Sequence, residues 1–166
     1  MIRRSLERPA FWPIIHSHGT QKSKFSKRRA GYARAKLACD LVDSVNELVG
    51  RVRRLFSSHV IEHLSNPTLI WEVANTVLAS DGILVCFCPN GDPGLEAING
   101  VKQYDGLWGK VHPMLITPRF LRETSVRYGF RAYVCTNPYR LDDIATGDEH
   151  NHEIMGSELC LIAKRI

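Results

Sequence analysis

Residues 82–89 read GILVCFCP, an uninterrupted apolar run with the length of one β-strand. A strand that faces water on one side alternates apolar and polar residues, and this run has no polar position to turn outward. Such a run is typical of a strand buried on both faces, as in a parallel sheet with helices on each side. The stretch therefore predicts an α/β fold with this strand inside the sheet.

The residues before this strand predict a helix with one apolar face. Asn66 can cap that helix, Pro67 suits its first turn, and the Ser-Asp-Gly of residues 80–82 is a stop signal. Between these signals the apolar residues recur at helical spacing and form one stripe: Leu69, Ile70, Val73, Val77 and Leu78. A helix followed directly by a buried strand is the repeating unit of an α/β fold.

After the strand, a loop rich in Pro and Gly leads to the next elements. Residues 117–118, Thr-Pro, open a second helix and Gly129 closes it. Strands follow at residues 130–137 (FRAYVCTN) and 157–165 (SELCLIAKR). Because no helix separates these last two strands, we expect them to pair in antiparallel fashion.

Composition is that of an ordinary globular protein, with 166 residues, 44% of them hydrophobic and 23% charged. No apolar run approaches the roughly 20 residues of a membrane-spanning helix. Pro9 and Pro13 interrupt the short apolar patch near the N-terminus, which argues against a secretory signal. The five cysteines show no disulfide spacing, and Cys86 and Cys88 alternate within an apolar run. We expect a reducing, cytoplasmic setting.

Charge divides the chain into segments. Residues 1–56 carry 13 Lys and Arg against 4 Asp and Glu, whereas residues 57–166 carry 9 against 13. Residues 1–36 have no sustained periodicity and predict a basic, disordered tail that could bind nucleic acid electrostatically. Residues 37–56 have helically spaced apolar positions and predict one amphipathic helix. The basicity therefore belongs to the first third of the chain.

Residues 57–166 resemble the C-terminal part of class I S-adenosylmethionine (SAM)-dependent methyltransferases of the type-11 and type-12 group. Four stretches, in the same order as in the family, carry the resemblance, and the helix predicted above lies between the first and the second. They are SSHVIEHLSNP (57–67), LASDGILVCFCPN (78–90), HPMLITPRFLRETSVRYGF (112–130) and SELCLIAKR (157–165). The resemblance implies a partial Rossmann-like sheet, with parallel strands and a terminal antiparallel hairpin. It also implies SAM as cofactor and methyl transfer to an O, N or C acceptor, with a small molecule as the expected acceptor.

The N-terminal part of that family is not recognisable. The family binds SAM through a Gly-rich turn after the first strand, and residues 1–56 hold only Gly19, Gly31 and Gly50, widely separated. With suitable codons, reading one base later converts residues 52–54 (Val-Arg-Arg) into the Phe-Asp-Val that resembles the family's strand. We hypothesise that this part is missing or frameshifted near codon 55, and that the chain is incomplete or inactive.

The resemblance also implies site residues. Ser57, Ser58 and His59 follow the family's fourth strand and would line the cofactor pocket, where ligands of open α/β sheets bind. His59 and His112 are the candidate catalytic residues, as a base or as contacts to the acceptor.

His59, Glu62 and His63 spell H-x-x-E-H, which allows three interpretations. On a helix it would be an inverted zinc-peptidase motif, with Glu62 as general base. Ubiquinone-pathway and small-RNA methyltransferases carry a similar E-x-x-E-H that holds a divalent cation, and here His112 could add a ligand. In the interpretation that the sequence favours, the methyltransferase is metal-free, because replacing a carboxylate by His59 weakens a Mg²⁺ site.

A function from another class stays open at this stage. The chain could be a non-catalytic remnant that binds nucleic acid through residues 1–36. A half-sheet would also leave an open strand edge and apolar faces without partners. We therefore expect marginal stability, or a homodimer that covers the gap.

Overall fold

The computed structural model describes residues 10–11, 40–41, 45–100, 112–137, 139 and 156–166. The chain divides into two compact units, Met1–Leu48 and Val49–Ile166. In the first unit, the short strands β1 (Ala10–Phe11) and β2 (Asp40–Leu41) pair in parallel, and a 3-10 turn covers Val45–Leu48. The predicted basic tail at 1–36 lies, apart from β1, outside the described residues.

The second unit is built on one four-stranded sheet with the spatial order β3-β4-β6-β5. Its strands are β3 (Val52–Ser58), β4 (Leu78–Pro89), β5 (Phe130–Thr136) and β6 (Glu158–Arg165). β3 and β4 run parallel, and β6 runs antiparallel to both β4 and β5. The predicted mixed α/β sheet with a terminal antiparallel hairpin is confirmed.

Among the described residues, three helices accompany the sheet: α1 (Leu69–Val77), α2 (Gly94–Asn99) and α3 (Pro118–Arg127). α3 begins as the sequence predicts, because the Thr117 hydroxyl accepts a hydrogen bond of 3.0 Å from the Phe120 backbone N–H and Pro118 takes the first position. None of the described helices has the length and apolar character needed to cross a membrane.

Both ends of α1 differ from the prediction. The Asn66 carboxamide oxygen accepts hydrogen bonds from the backbone N–H and the hydroxyl of Thr68, so the chain first makes a turn and the helix begins at Leu69. At the other end, Leu78 is already extended and pairs with Val52. The predicted stop at residues 80–82 is therefore wrong as a helix end, since these residues lie within β4.

Residues 80–82, the predicted stop signal, lie instead at an irregularity in the pairing of β3 with β4. The pairing jumps from Val52 opposite Leu78 to Arg54 opposite Ile83, so extra residues of β4 are inserted between the two pairs. Gly82 lies in this insertion, and a Cβ atom there would approach the Val52 carbonyl oxygen to 2.8 Å. The glycine is required because two backbones come close together.

The predicted amphipathic helix over 37–56 is wrong. β2, a 3-10 turn and the start of β3 occupy this segment. Gly50 breaks the helical pattern with a φ of 63°, and its backbone N–H donates to the Thr76 carbonyl at 3.0 Å. Pairing with β4 therefore decides the structure of residues 52–56, although their apolar residues have helical spacing. The second compact unit begins at Val49 rather than at residue 57.

The core lies between the helices and one face of the sheet. Trp71 of α1 is fully buried, packs against the Phe130 ring of β5 at 5.5 Å between centroids, and donates from Nε1 to the Thr124 hydroxyl of α3 at 2.9 Å. These contacts tie α1, α3 and β5 together. On β4, Leu84, Cys86 and Cys88 face this core and are fully buried.

The opposite face of the sheet is only half covered. The alternate β4 residues Ile83, Val85 and Phe87 are half-buried, and Phe56 of β3 has 60% of its surface exposed. The apolar run of β4 predicts burial on both faces, and the structure provides complete burial on one. The second face is therefore an apolar surface of the described part of the chain.

Candidate functional site

The candidate site lies where the parallel strands β3 and β4 end. His59 follows β3 and adopts a φ of 51°, and its backbone N–H donates to the Phe87 carbonyl of β4 at 2.9 Å. A 3-10 turn, Ile61–His63, then turns Glu62 inward. Ligands of open α/β sheets bind at the carboxyl ends of parallel strands, so the placement suits a binding site.

Glu62 is the most unusual group of the site. Its side chain is fully buried, and among the described residues neither carboxylate oxygen has a hydrogen-bond partner. His59 Nδ1 lies 3.3 Å from Glu62 Oε1, and His63 Nε2 lies 3.9 Å from the same oxygen. A buried carboxylate without hydrogen bonds is costly unless a proton, a cation or a metal ion compensates its charge.

Two histidines complete a cluster around this carboxylate. The rings of His63 and His112 lie 4.9 Å apart between centroids. One ligand atom from each of Glu62, His63 and His112 can be chosen so that all three lie within 4.8 Å of one another. One carboxylate oxygen and two imidazole nitrogens suit a divalent transition metal better than Mg²⁺, which prefers oxygen ligands. The residues present therefore fit a divalent metal ion.

His59 contacts Glu62 but is turned toward a different partner. Its Nε2 forms a hydrogen bond of 2.8 Å with Glu158 Oε1 at the start of β6. The other Glu158 oxygen, Oε2, accepts a short hydrogen bond from the Tyr139 hydroxyl. Burial, and secondly this bond to Glu158, raise the pKa of Tyr139. The imidazole of His59 thus lies between two carboxylates.

The residues predicted to bind the cofactor differ in their exposure to solvent. Ser57 and Ser58 form the last two positions of β3, with Ser57 buried and Ser58 exposed. The Ser57 hydroxyl has no hydrogen-bond partner among the described residues. His59 lies beyond the strand, and its side chain is 49% exposed. Of the three predicted cofactor contacts, Ser58 and His59 are accessible.

Residues 59–63 do not form the helix that the peptidase motif needs. His59 has a left-handed backbone conformation and precedes a 3-10 turn of only three residues. The two histidines therefore do not project from adjacent turns of one α-helix, and the interpretation as a zinc-peptidase helix is wrong. The predicted metal set of His59, Glu62 and His63 differs from the cluster that forms, in which His112 takes the place of His59.

Sequence reasoning missed Glu158 and Tyr139. Both lie far along the chain from His59, and nothing in the sequence brings the start of β6 to the end of β3 before the strand order is known. Asn90 directly follows β4, where a polar side chain could contact a ligand. The residue is buried, and its side chain donates to the Gly156 carbonyl at 2.8 Å, so it fastens the loop before β6.

No protein-family model and no curated protein matches the chain. Solved structures do match it, although at low sequence identity. A SAM-dependent methyltransferase from Thermotoga maritima has a TM-score of 0.57 and 15% identity, covering 85% of this chain and 70% of that one. One from Mesorhizobium loti has a TM-score of 0.55 and 15% identity, covering 86% and 77%. A small RNA methyltransferase has a TM-score of 0.52 and 13% identity, covering 82% of this chain and 18% of that one.

These likenesses show the fold. The four-stranded mixed sheet with its parallel and antiparallel pairs matches the Rossmann-like fold of SAM-dependent methyltransferases. The resemblance seen in the sequence is therefore confirmed at the level of the fold.

Proposed function

We propose that the chain functions as a SAM-dependent methyltransferase, which transfers a methyl group to an oxygen, nitrogen or carbon acceptor. The observation that carries the proposal is the cluster of Glu62, His63 and His112 at the carboxyl ends of β3 and β4, on a sheet of methyltransferase topology. Ligands of such sheets bind at this edge. The sulfonium of SAM already activates the methyl group, so the protein has mainly to align the reacting atoms.

We further propose that this cluster holds a divalent metal ion and that the acceptor is a hydroxyl group. Glu62, His63 and His112 would be the ligands. The buried carboxylate of Glu62, which accepts no hydrogen bond from a described residue, supports this over the metal-free form that the sequence favours. When bound, such an ion lowers the pKa of a coordinated hydroxyl and orients its oxygen.

The chain's own residues then have separate tasks. The rings of His63 and His112 lie next to each other, so each could offer one nitrogen to the ion. Glu62 would hold the ion and offset part of its positive charge in a buried position. Both ring nitrogens of His59 lie next to carboxylates, Nδ1 by Glu62 and Nε2 by Glu158, so His59 joins the two acidic side chains.

The test is label transfer from SAM carrying a tritiated methyl group to pools of hydroxyl, amine and RNA acceptors. We expect transfer to a hydroxyl pool, abolished by EDTA, restored by Mn²⁺ and lost in Glu62→Gln. Glu123→Gln is the matched control, because Glu123 pairs with Arg119 on the surface of α3 and should leave transfer unchanged. Transfer that EDTA and Glu62→Gln leave intact would support a metal-free enzyme.

The charge of the N-terminal third supports a second proposal, that the chain binds nucleic acid. Residues 1–56 carry 13 Lys and Arg against 4 Asp and Glu. Electrostatic binding of this kind weakens steeply with salt. Fluorescence anisotropy with a single-stranded RNA should show binding at 50 mM salt that largely disappears at 200 mM, and binding unaffected by salt would contradict the proposal.

A further inference from the structure

Both imidazole nitrogens of His59 lie close to carboxylates. One imidazole nitrogen, Nδ1, lies 3.3 Å from Glu62 Oε1, and the other, Nε2, lies 2.8 Å from Glu158 Oε1. Glu158 is held in turn by the Tyr139 hydroxyl and by its own backbone N–H, which donates to the Asn137 carboxamide at 2.9 Å. A continuous series of side chains thus runs from Tyr139 to the buried Glu62.

The backbone fixes His59 in this position. Its positive φ is uncommon for a residue with a Cβ atom, and the bond from its N–H to the Phe87 carbonyl anchors the turn to β4. The side chain is therefore positioned from both ends, by strand β4 through the backbone and by β6 through Glu158. An uncommon backbone conformation that several contacts hold in place is often found at a functional site.

The metal cluster forms without His59. The three ligand atoms that come within 4.8 Å of one another belong to Glu62, His63 and His112. The only atom of that cluster within ion-pair distance of His59 is Glu62 Oε1. His59 therefore lies next to Glu62, and its Nε2 is paired with Glu158.

We propose that His59 is a positioning residue: held by Glu158 and Tyr139, it orients the buried carboxylate of Glu62 toward His63 and His112 and does not itself bind the metal. This inference rests on the proposed metal site. Outer-shell partners of metal ligands hold them in place, and their removal commonly weakens metal affinity by about 10- to 100-fold. Glu62 has no hydrogen bond from any described residue, so His59 is its nearest polar support.

The test uses Glu158→Gln, a change at a residue that does not contact the cluster ligands. Mn²⁺ binding to the 166-residue chain is measured by calorimetry and by the loss of the free-ion EPR signal. If His59 positions Glu62, loosening its anchor should weaken Mn²⁺ affinity about 10-fold. If His59 is a ligand, the same change releases Nε2, so unchanged or tighter binding would overturn the inference.

Tyr139→Phe is the milder second variant, since it removes only the hydroxyl that bonds to Glu158. It should weaken Mn²⁺ binding in the same direction and by a smaller factor. Glu123→Gln is the matched control, and circular dichroism shows whether each variant is folded.

The number of imidazoles bound to Mn²⁺ can be counted in the parent chain, so this measurement does not require that a variant folds. Electron spin echo measurements of bound Mn²⁺ should detect two coordinated imidazoles, from His63 and His112, and the same two in His59→Gln. Three imidazoles in the parent would overturn the inference. A parent that binds SAM but no Mn²⁺ would overturn it together with the metal site, while methyl transfer itself would stand.

Discussion

The thiols in the sheet have an environment that suppresses ionisation. A hydrogen bond with Cys86, followed by burial, raises the pKa of the Cys88 thiol. A hydrogen bond with Cys135, followed by burial, raises the pKa of Cys160. These thiols therefore keep their protons in the folded protein at pH values at which an unfolded chain loses them.

This difference predicts a dependence of stability on pH. Below the ordinary thiol pKa of about 8.5, both states hold the proton and these groups contribute no pH dependence. Above it, only the unfolded state loses the proton, so the free energy of unfolding should fall by on the order of 1 kcal/mol per pH unit for each thiol. Urea denaturation between pH 7.5 and 9.5 measures the slope. Cys88→Ala should reduce it, and an identical slope in that variant would contradict the assignment.

At the residue scale, the sequence indicated part of the site. Glu62, His63 and His112 could be named because the motif and the resemblance mark them. The hydrogen bond between His59 Nε2 and Glu158 could not be predicted, because the H-x-x-E-H spacing gives no sign of it. That contact joins residues 99 positions apart and depends on where β6 enters the sheet. Tertiary neighbours of this kind leave no local pattern in a sequence.

The junction of α1 and β4 is tightly constrained at Gly82. Gly82 is buried, and an added Cβ atom would lie 2.8 Å from the Val52 carbonyl oxygen and 3.0 Å from that of Ala79. Both neighbours are backbone atoms, which cannot turn aside as a side chain can. The parallel pairing of β3 and β4 therefore depends on this glycine.

We expect Gly82→Ala to destabilise the fold by about 1–3 kcal/mol, because the strands must separate to admit the methyl group. Gly94→Ala is the control, since Gly94 is exposed at the start of α2 and an added Cβ would meet only a movable side-chain oxygen of Asp92. Denaturant unfolding of both variants compares the two sites. Equal stability of Gly82→Ala and the parent would contradict the close approach.

The later elements of the second unit were largely predictable, and residues 37–56, which include the start of its first strand, were not. The caps of α3 and the apolar run of β4 are local signals, and both elements appear where those signals lie. Residues 37–56 have helical spacing, yet β3 forms within them because β4 offers a parallel partner. Strand formation next to an existing strand depends on long-range pairing, which periodicity cannot reveal.

The described residues of the second unit present an apolar sheet face and an edge strand. Among them, β3 is an outer strand of the sheet, and Phe56 on it has 60% of its surface exposed next to the half-buried Phe87. An edge with exposed apolar side chains is a template for association with another chain.

We predict that the chain self-associates through this surface. Sedimentation should show a dimer whose fraction rises with concentration, and Phe56→Lys should shift it toward monomer. Val126→Lys is the control, because Val126 is 68% exposed on α3, among the helices that cover the other face. A single monomeric species with a cooperative, high-temperature melt would argue against this prediction.

The proposed activity requires that the chain binds SAM. Calorimetric titration of the purified 166-residue chain with SAM tests this requirement without knowledge of the acceptor. We predict saturable binding near the micromolar range, equivalent to about −8 kcal/mol. Such binding would mean that the chain builds a cofactor site without the Gly-rich turn of related enzymes. A folded sample that binds no SAM would contradict the proposed activity for this chain.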